Sequence, residues 1–305
     1  MSVRSEHIWF DGKFVPFDDA KVHVLSHTLH YGLGVFEGIR AYEQPNGRPG
    51  IWRLEGHLRR FLDSLKMMRW TCAYSYDELT AACLETLRVN NFTSAYVRPL
   101  AFLGEGQMGL GARGNKMHVV VAAWPWGAYL GDEGLNQGVR LQTSSFTRNG
   151  PNAALQRAKV VGHYVNSILA RYEANENGFD EALMLDARGY VAEGTGENVF
   201  VVRDGEVSTP PVSNILPGIT RETVIDICRH EGIPLHEQLF GRDAFYTADE
   251  AFMCGTAAEV TPVRELDRRA VGDGKPGPIT KRIQEIYLAA VRGKIDWLAE
   301  DITLG

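Results

Sequence analysis

The chain has 305 residues, enough for two domains or one large one. Apolar residues make up 44% and charged residues 23%, the balance of an ordinary globular protein, and no segment is apolar for long enough to cross a bilayer. The net charge of −6, without any basic run, argues against nucleic acid as a partner, because phosphates call for clustered Lys and Arg.

The N-terminal stretch MSVRSEHIWFDGK lacks the apolar core of a secretory signal, so the expected location is the cytoplasm. Ile8-Trp9-Phe10 and Lys13-Phe14-Val15 flank Asp11-Gly12, which predicts a hairpin. Leu58, Phe61, Leu62 and Leu65 recur at helical spacing and predict a helix over 57–68. Ser75 and Glu78 make a capping-box pair that opens a second helix. Strands are expected at 95–103 and 117–124. The glycine-rich stretch LGEGQMGLGARG between them (103–114) opens no helix, so it reads as a mobile or interface loop and not as a dinucleotide fingerprint. PWGAYLGDEG (125–134) breaks the pattern and marks a domain linker.

The second half starts with an expected strand at 139–144. A helix is predicted from about Lys159 to Asn177, with Val161, Tyr164, Val165, Ile168, Leu169 and Tyr172 on its apolar face. Two strands then flank 186–189, a hairpin turns at Asp204-Gly205, a helix follows LPGIT (216–220), a strand covers 250–254, and a last helix covers 279–291. Strands and helices mixed without regular βαβ spacing favour an α+β fold.

Four segments carry candidate chemistry. Most of the eight lysines sit in polar, turn-like or amphipathic surroundings, whereas Lys159 lies in Arg157-Ala158-Lys159-Val160-Val161-Gly162, with small or apolar neighbours on both sides. It reads either as a helix-end lysine reaching for solvent or as a desolvated amine of lowered proton affinity. Glu193, followed by Gly194 and Gly196, is either an exposed turn carboxylate or an acid facing a cleft. In LPGIT, Gly218, Ile219 and Thr220 open a helix, and Thr220 serves as its cap, as an anion donor, or as both. GTAAE (255–259) is a tight turn whose small residues let an anion approach backbone N–H groups. Cys72, Cys83, Cys228 and Cys254 form no CxxC pair and read as spectator thiols. The nine histidines form no metal-ligand spacing, so no metal is expected.

In their order along the chain these segments resemble one known family. SHTLHYGLGVFEGIRAY (26–42), HLRRF (57–61), YVRPL (96–100), PWGAYLG (125–131), AKVVGHYVNS (158–167), AEGTGENVF (192–200), LPGITRE (216–222) and CGTAAEVTPV (254–263) are similar to branched-chain-amino-acid aminotransferases, the fold-type IV enzymes of pyridoxal 5′-phosphate (PLP). The resemblance spans nearly the whole chain. It implies a two-domain fold with mixed sheets and flanking helices: a smaller N-terminal domain over 1–127, a linker over 128–136, and a larger domain over 137–305 carrying the cofactor lysine.

The resemblance also implies roles. Lys159 matches the lysine that holds PLP as a Schiff base and moves the substrate proton. Glu193 matches the partner of the pyridine nitrogen, and Tyr164 the partner of the phenolic oxygen. The H-x-x-R pattern from His57 marks Arg60, rather than the adjacent Arg59, as the phosphate arginine. Gly218, Ile219, Thr220 and Thr256 complete the phosphate cup, with Leu216 against the ring. Tyr96 and the Thr256–Ala257 amides would hold the substrate α-carboxylate, and Arg98 the second carboxylate of glutamate or 2-oxoglutarate. Phe36, Gly38, Trp126, Tyr129 and Tyr164 would line the side-chain pocket. Tyr31, Met108 and Leu110 would come from a neighbouring subunit, which implies a homodimer as the functional unit and, as a larger assembly, a hexamer of three dimers. Amino acids and 2-oxo acids are the expected partners, with no nucleic acid and no membrane. The rivals are a D-amino-acid aminotransferase or an aminodeoxychorismate lyase of the same fold type, and a non-enzymatic PLP carrier. Leu100 stands where the D-amino-acid enzymes carry the second cation of their carboxylate pair, and the CxxC switch of the mammalian relatives is absent.

Overall fold

The structure, a computed structural model, describes residues 3–127, 130–213 and 215–305. The chain forms two compact units: the first comprises residues up to Trp126 together with Ala158–His163 and Ala290–Gly305, the second Gly127–Arg157 and Tyr164–Ala289.

In the first unit one antiparallel sheet runs in the order Ile302–Leu304, Pro49–Trp52, Ile39–Glu43, Ala95–Leu103, Met117–Trp124, His7–Phe10, Lys13–Pro16, and Gly34–Phe36 also pairs with Ala95–Leu103. Two helices, Leu54–Met67 and Tyr76–Val89, pack on it, the second opened by the expected Ser75/Glu78 capping box. Leu58, Phe61 and Leu65 of the first helix and Leu79, Cys83 and Leu87 of the second are buried with Val97, Val119 and Val121 of the sheet. Alternation along Ala95–Leu103 sends Val97 and Ala101 into that core and puts Tyr96 and Arg98 together on the opposite face.

The second unit is built on a mixed sheet. Its order is Val191–Glu193, Glu181–Leu185, Val139–Thr143, Glu259–Leu266, Glu250–Gly255, Asn198–Arg203, Glu206–Thr209, Leu235–Glu237. Three of its pairings are parallel: Val139–Thr143 with Glu181–Leu185 and with Glu259–Leu266, and Glu206–Thr209 with Leu235–Glu237. Helices Tyr164–Glu176, Ile219–His230 and Pro278–Ala290 belong to this unit, and the whole fold is α+β.

Several expectations differ from what is observed. The stretch read as a linker carries a short helix, Gly131–Gln137. The helix expected from Lys159 begins at Tyr164, after a 3-10 turn at Val161–His163. Lys159 instead sits outside any helix: the Val160 N–H bonds back to the Ala158 carbonyl at 3.1 Å, Val160 bridges Val35, and the Lys159 carbonyl accepts a hydrogen bond from the Phe36 N–H at 3.1 Å. That pairing draws Ala158–His163 into the first unit, whereas the expected division kept Lys159 with the second half. The apolar stripe of the helix Tyr164–Glu176 also lies differently: Val165 (59%), Ile168 (45%), Leu169 (43%) and Tyr172 (61%) are exposed, while the small residues Ser167, Ala170 and Ala174 are buried. Ala170 and Ala174 let the helix approach Ala182 and Met184 of the sheet closely, so the bulky side chains have to face away. Among the described residues no helix is long and apolar enough to cross a membrane.

Candidate active site

In the first unit the Lys159 segment is pinned from two sides. The strand Gly34–Phe36 takes one edge, and the Ser64 hydroxyl accepts the Lys159 backbone N–H at 3.1 Å while donating to the Arg60 carbonyl at 2.7 Å. The ammonium nitrogen lies 5.1 Å from the centre of the Phe36 ring. Lys159 as a residue is only half-buried, but its ammonium end is desolvated. Burial first, and then the nearby Arg60 guanidinium, push the amine down to about 8. Glu37, Tyr96 and Arg98 also act on that charge.

Arg60 is not alone behind the lysine. Its Nε and Nη2 donate to the two oxygens of Glu37 at 2.7 and 2.9 Å, and Glu37 is fully buried. His57 Nδ1 lies 2.7 Å from Glu37 Oε2, and the Gly38 N–H donates to the same oxygen at 3.2 Å. Burial alone would raise the Glu37 carboxyl, but the Arg60 charge and the His57 bond hold it well below the usual carboxylate range. Burial lowers the His57 imidazole, so the ring is neutral and Nδ1–H is the donor. Arg59, by contrast, has a side chain 71% exposed and pairs with Glu55 one turn away, which leaves Arg60 as the buried cation of the adjacent pair.

Arg98 lies among three aromatic faces, 4.7 Å from the Phe36 ring, 5.2 Å from Tyr96 and 5.6 Å from Trp124. Its Nη2 donates to the Tyr96 hydroxyl at 3.3 Å, while its buried Nε has no hydrogen-bond partner among the described residues. Tyr96 also meets the Trp126 ring at 5.3 Å. A Cβ on Gly38 would fall 1.9 Å from the Tyr96 hydroxyl, so only glycine permits this approach. Tyr31, Met108 and Leu110 are exposed, Leu110 almost completely. Tyr129 lies outside the described residues.

The second unit holds a separate group. Glu193, at the end of the strand Val191–Glu193, is 5% exposed, so it is not a surface turn carboxylate. Arg148 Nε and Nη2 both lie 2.7 Å from its Oε1. Its Oε2 accepts from Asn198 Nδ2 and from the Leu216 N–H, each at 3.2 Å. Asn198 also donates to the Leu216 carbonyl at 3.1 Å, and a Cβ on Gly218 would meet Asn198 Oδ1 at 2.0 Å. Asn198 thus ties the carboxylate to the loop that opens the helix Ile219–His230. That helix is capped by Gly218 without a side-chain bond, so Thr220 is not its cap; Thr220 lies in the first turn and is buried. Tyr164 starts the helix Tyr164–Glu176, and Thr256 and Ala257, both partly exposed, form the turn after the strand Glu250–Gly255. By residue type each unit suits part of a phosphorylated pyridine cofactor: the first has a desolvated primary amine and a buried arginine, the second an arginine-paired carboxylate and a glycine-capped helix start.

The family model described as Amino-transferase class IV matches residues 34–266. The chain belongs to the class IV aminotransferases. It is 51% identical over 304 residues to the branched-chain-amino-acid aminotransferase of Pseudomonas aeruginosa, covering 100% of this chain and 99% of that one. The enzyme of the same name from Escherichia coli strain K12 is 47% identical, covering 96% and 95%. Among solved structures, the T.th. branched-chain amino acid aminotransferase with pyridoxamine 5′-phosphate superposes with a TM-score of 0.96 at 48% identity, covering 99% of both chains.

For this class IV aminotransferase, sequence reading passed over four residues that the structure brings to the candidate groups: Glu37, Ser64, Arg148 and Asn198. Glu37 had a visible signal, a carboxylate inside the apolar stretch between Phe36 and Gly38. Arg148 and Asn198 had none, because their roles come from partners 45 and 5 residues away that only the folded sheet brings to them.

Proposed function

We propose that this enzyme transfers amino groups between the L-branched-chain amino acids leucine, isoleucine and valine and 2-oxoglutarate, using PLP, and that its products are branched 2-oxo acids and L-glutamate. The observation that carries the reading is the Lys159 amine, held at about 8 against Phe36 and beside Arg60 in a class IV aminotransferase. PLP supplies an electron sink for the charge left when the substrate Cα proton is removed.

The chain supplies the rest. Lys159 would hold the cofactor, and its amine would take the Cα proton and return a proton two atoms further along, at C4′, a task suited to an amine that is substantially neutral near pH 8. Glu193 keeps a proton at the ring nitrogen, and Tyr164 binds the phenolic oxygen. Arg60, Gly218, Ile219, Thr220 and Thr256 anchor the phosphate, with Leu216 against the ring. Tyr96 and the Thr256–Ala257 amides orient the α-carboxylate. The side-chain pocket has to take both an aliphatic group and a carboxylate. Phe36, Gly38 and Trp126 suit the first. Arg98 suits the second, because its buried Nε has no hydrogen-bond partner among the described residues.

The functional unit is a homodimer, with a hexamer of three dimers as the larger assembly, and the enzyme works in the cytoplasm. The exposed apolar row Val165, Ile168, Leu169, Tyr172 and the exposed Tyr31, Met108 and Leu110 support association, since such side chains are normally covered in the working assembly. Sedimentation of the holoenzyme as a monomer would remove that part of the reading.

The decisive assay follows glutamate formed from 2-oxoglutarate with L-leucine, and in parallel with D-leucine. Turnover with the L isomer alone is expected. Turnover with only the D isomer would transfer the assignment to the D-amino-acid branch of the fold type, and turnover with neither would refute it.

A further inference from the structure

We propose that Glu37 is the positioning residue of the phosphate arginine: by fixing the plane of the Arg60 guanidinium it sets how tightly the enzyme grips the phosphate of its cofactor. The inference rests on the reading that Arg60 takes that phosphate.

The geometry is directional. Two N–H groups along one side of the guanidinium, on Nε and Nη2, are committed to the two oxygens of one carboxylate at 2.7 and 2.9 Å. A planar group held by two parallel bonds cannot swivel, so its Nη1 corner points one way. The carboxylate is fixed in turn by His57 Nδ1 and by the Gly38 N–H, both on Oε2. His57 and Arg60 stand three residues apart on one helix, so one turn of helix and one carboxylate form a closed unit. The same turn is locked to the lysine, because Ser64 bonds the Arg60 carbonyl and the Lys159 N–H together. Arginine and lysine are therefore registered to each other through the backbone, and Glu37 sets the one remaining freedom, the orientation of the guanidinium.

The charges agree with that role. Arg60 disfavours the protonated form of Lys159, and Glu37 opposes it. An arginine beside the lysine without its carboxylate would place two uncompensated cations in a desolvated site.

A purely neutralising carboxylate makes the opposite forecast from a positioning one. If Glu37 only competed with an anion for Arg60, removing it would strengthen phosphate binding. If it aims Arg60, removing it weakens phosphate binding, because a glutamine turns an N–H₂ toward one of the two guanidinium donors and forces the group out of plane.

The experiment uses the full chain freed of cofactor and compares the dissociation constants of PLP and of pyridoxal, which lacks the phosphate. The pyridoxal constant divided by the PLP constant measures the grip on phosphate alone, and general damage to the fold weakens both ligands and leaves this ratio unchanged. Glu37→Gln is expected to reduce the ratio by about tenfold to a hundredfold, the range for lost charge-assisted hydrogen bonds. Glu37→Asp, which keeps the charge but reaches one methylene less far toward the guanidinium, is expected to reduce it less, and it decides the matter by the same criterion if the glutamine variant does not fold. An unchanged or raised ratio in the folded variants overturns the proposal. Arg60→Gln is run beside them. If the ratio survives that change, the assignment of Arg60 itself has failed, a result distinct from one in which Arg60 matters and Glu37 does not.

Discussion

Glu37 in the first unit and Glu193 in the second are both buried and both paired with an arginine, yet they are held differently. Glu37 receives short bonds on both oxygens, from Arg60 at 2.7 and 2.9 Å and from His57 at 2.7 Å. Glu193 has Arg148 at 2.7 Å from Oε1, while Asn198 and the Leu216 N–H lie 3.2 Å from Oε2. A carboxylate held by strong bonds acts through the groups it fixes, whereas long bonds are more readily traded for a stronger, charged donor. Under the proposed function the first acid shapes a binding group and the second meets the cofactor.

Lys159→Ala tests the neighbour of the first acid and carries the largest expected effect. Turnover should fall on the order of a thousandfold or more, the scale for loss of a general acid–base group. Borohydride treatment should no longer fix the cofactor to the chain. Covalent labelling retained at a single site would point to another of the eight lysines. Glu193→Gln addresses the second acid directly. Turnover should fall roughly ten- to hundredfold while PLP affinity stays near that of the parent enzyme. If the variant instead lost its cofactor with normal chemistry in what remained, the two acids would not differ as proposed.

Arg98→Leu moves to the aromatic face of the first unit. In separate half-reactions, glutamate should lose about ten- to hundredfold in specificity and leucine much less. Equal losses in a well-folded variant would make Arg98 a structural cation instead. A smaller effect concerns pH. The Lys159 amine is lowered from 10.5 to about 8, so its neutral, reactive form grows as pH rises toward 8 and levels off above it. Capture of PLP by the cofactor-free chain should accelerate roughly fivefold from pH 7 to 8, as the neutral fraction of a group with that pKa dictates. A rate still climbing steeply at pH 10 would mean that the amine is solvated. Arg59→Ala should do least: its exposed pairing with Glu55 predicts a stability change within about 0.5 kcal/mol and unchanged PLP affinity. A large loss there would reverse the choice between the adjacent arginines.

Local signals determined much of this protein. The strands Ala95–Leu103 and Met117–Trp124 were legible with their observed ends, the Ser75/Glu78 pair opened the helix Tyr76–Val89, and Asp11-Gly12 and Asp204-Gly205 turned their hairpins, because each depends on residues within a few positions of one another. The ordered motifs were enough to place the chain in its family. Tertiary structure decided what depends on distant partners. Helical periodicity around Lys159 was overruled by the pairing of Val160 with Val35 and of Lys159 with Phe36, since backbone bonds satisfied by a distant strand outweigh a weak helical preference. The face of the helix Tyr164–Glu176 that is buried was likewise set by how closely Ala170 and Ala174 let it approach the sheet, not by where its largest apolar residues fall. The pairing of each buried acid with its arginine also belongs to the fold. The spacing that joins Glu37 to Arg60, or Arg148 to Glu193, has no local period, and only the packed elements bring the charges within hydrogen-bond reach.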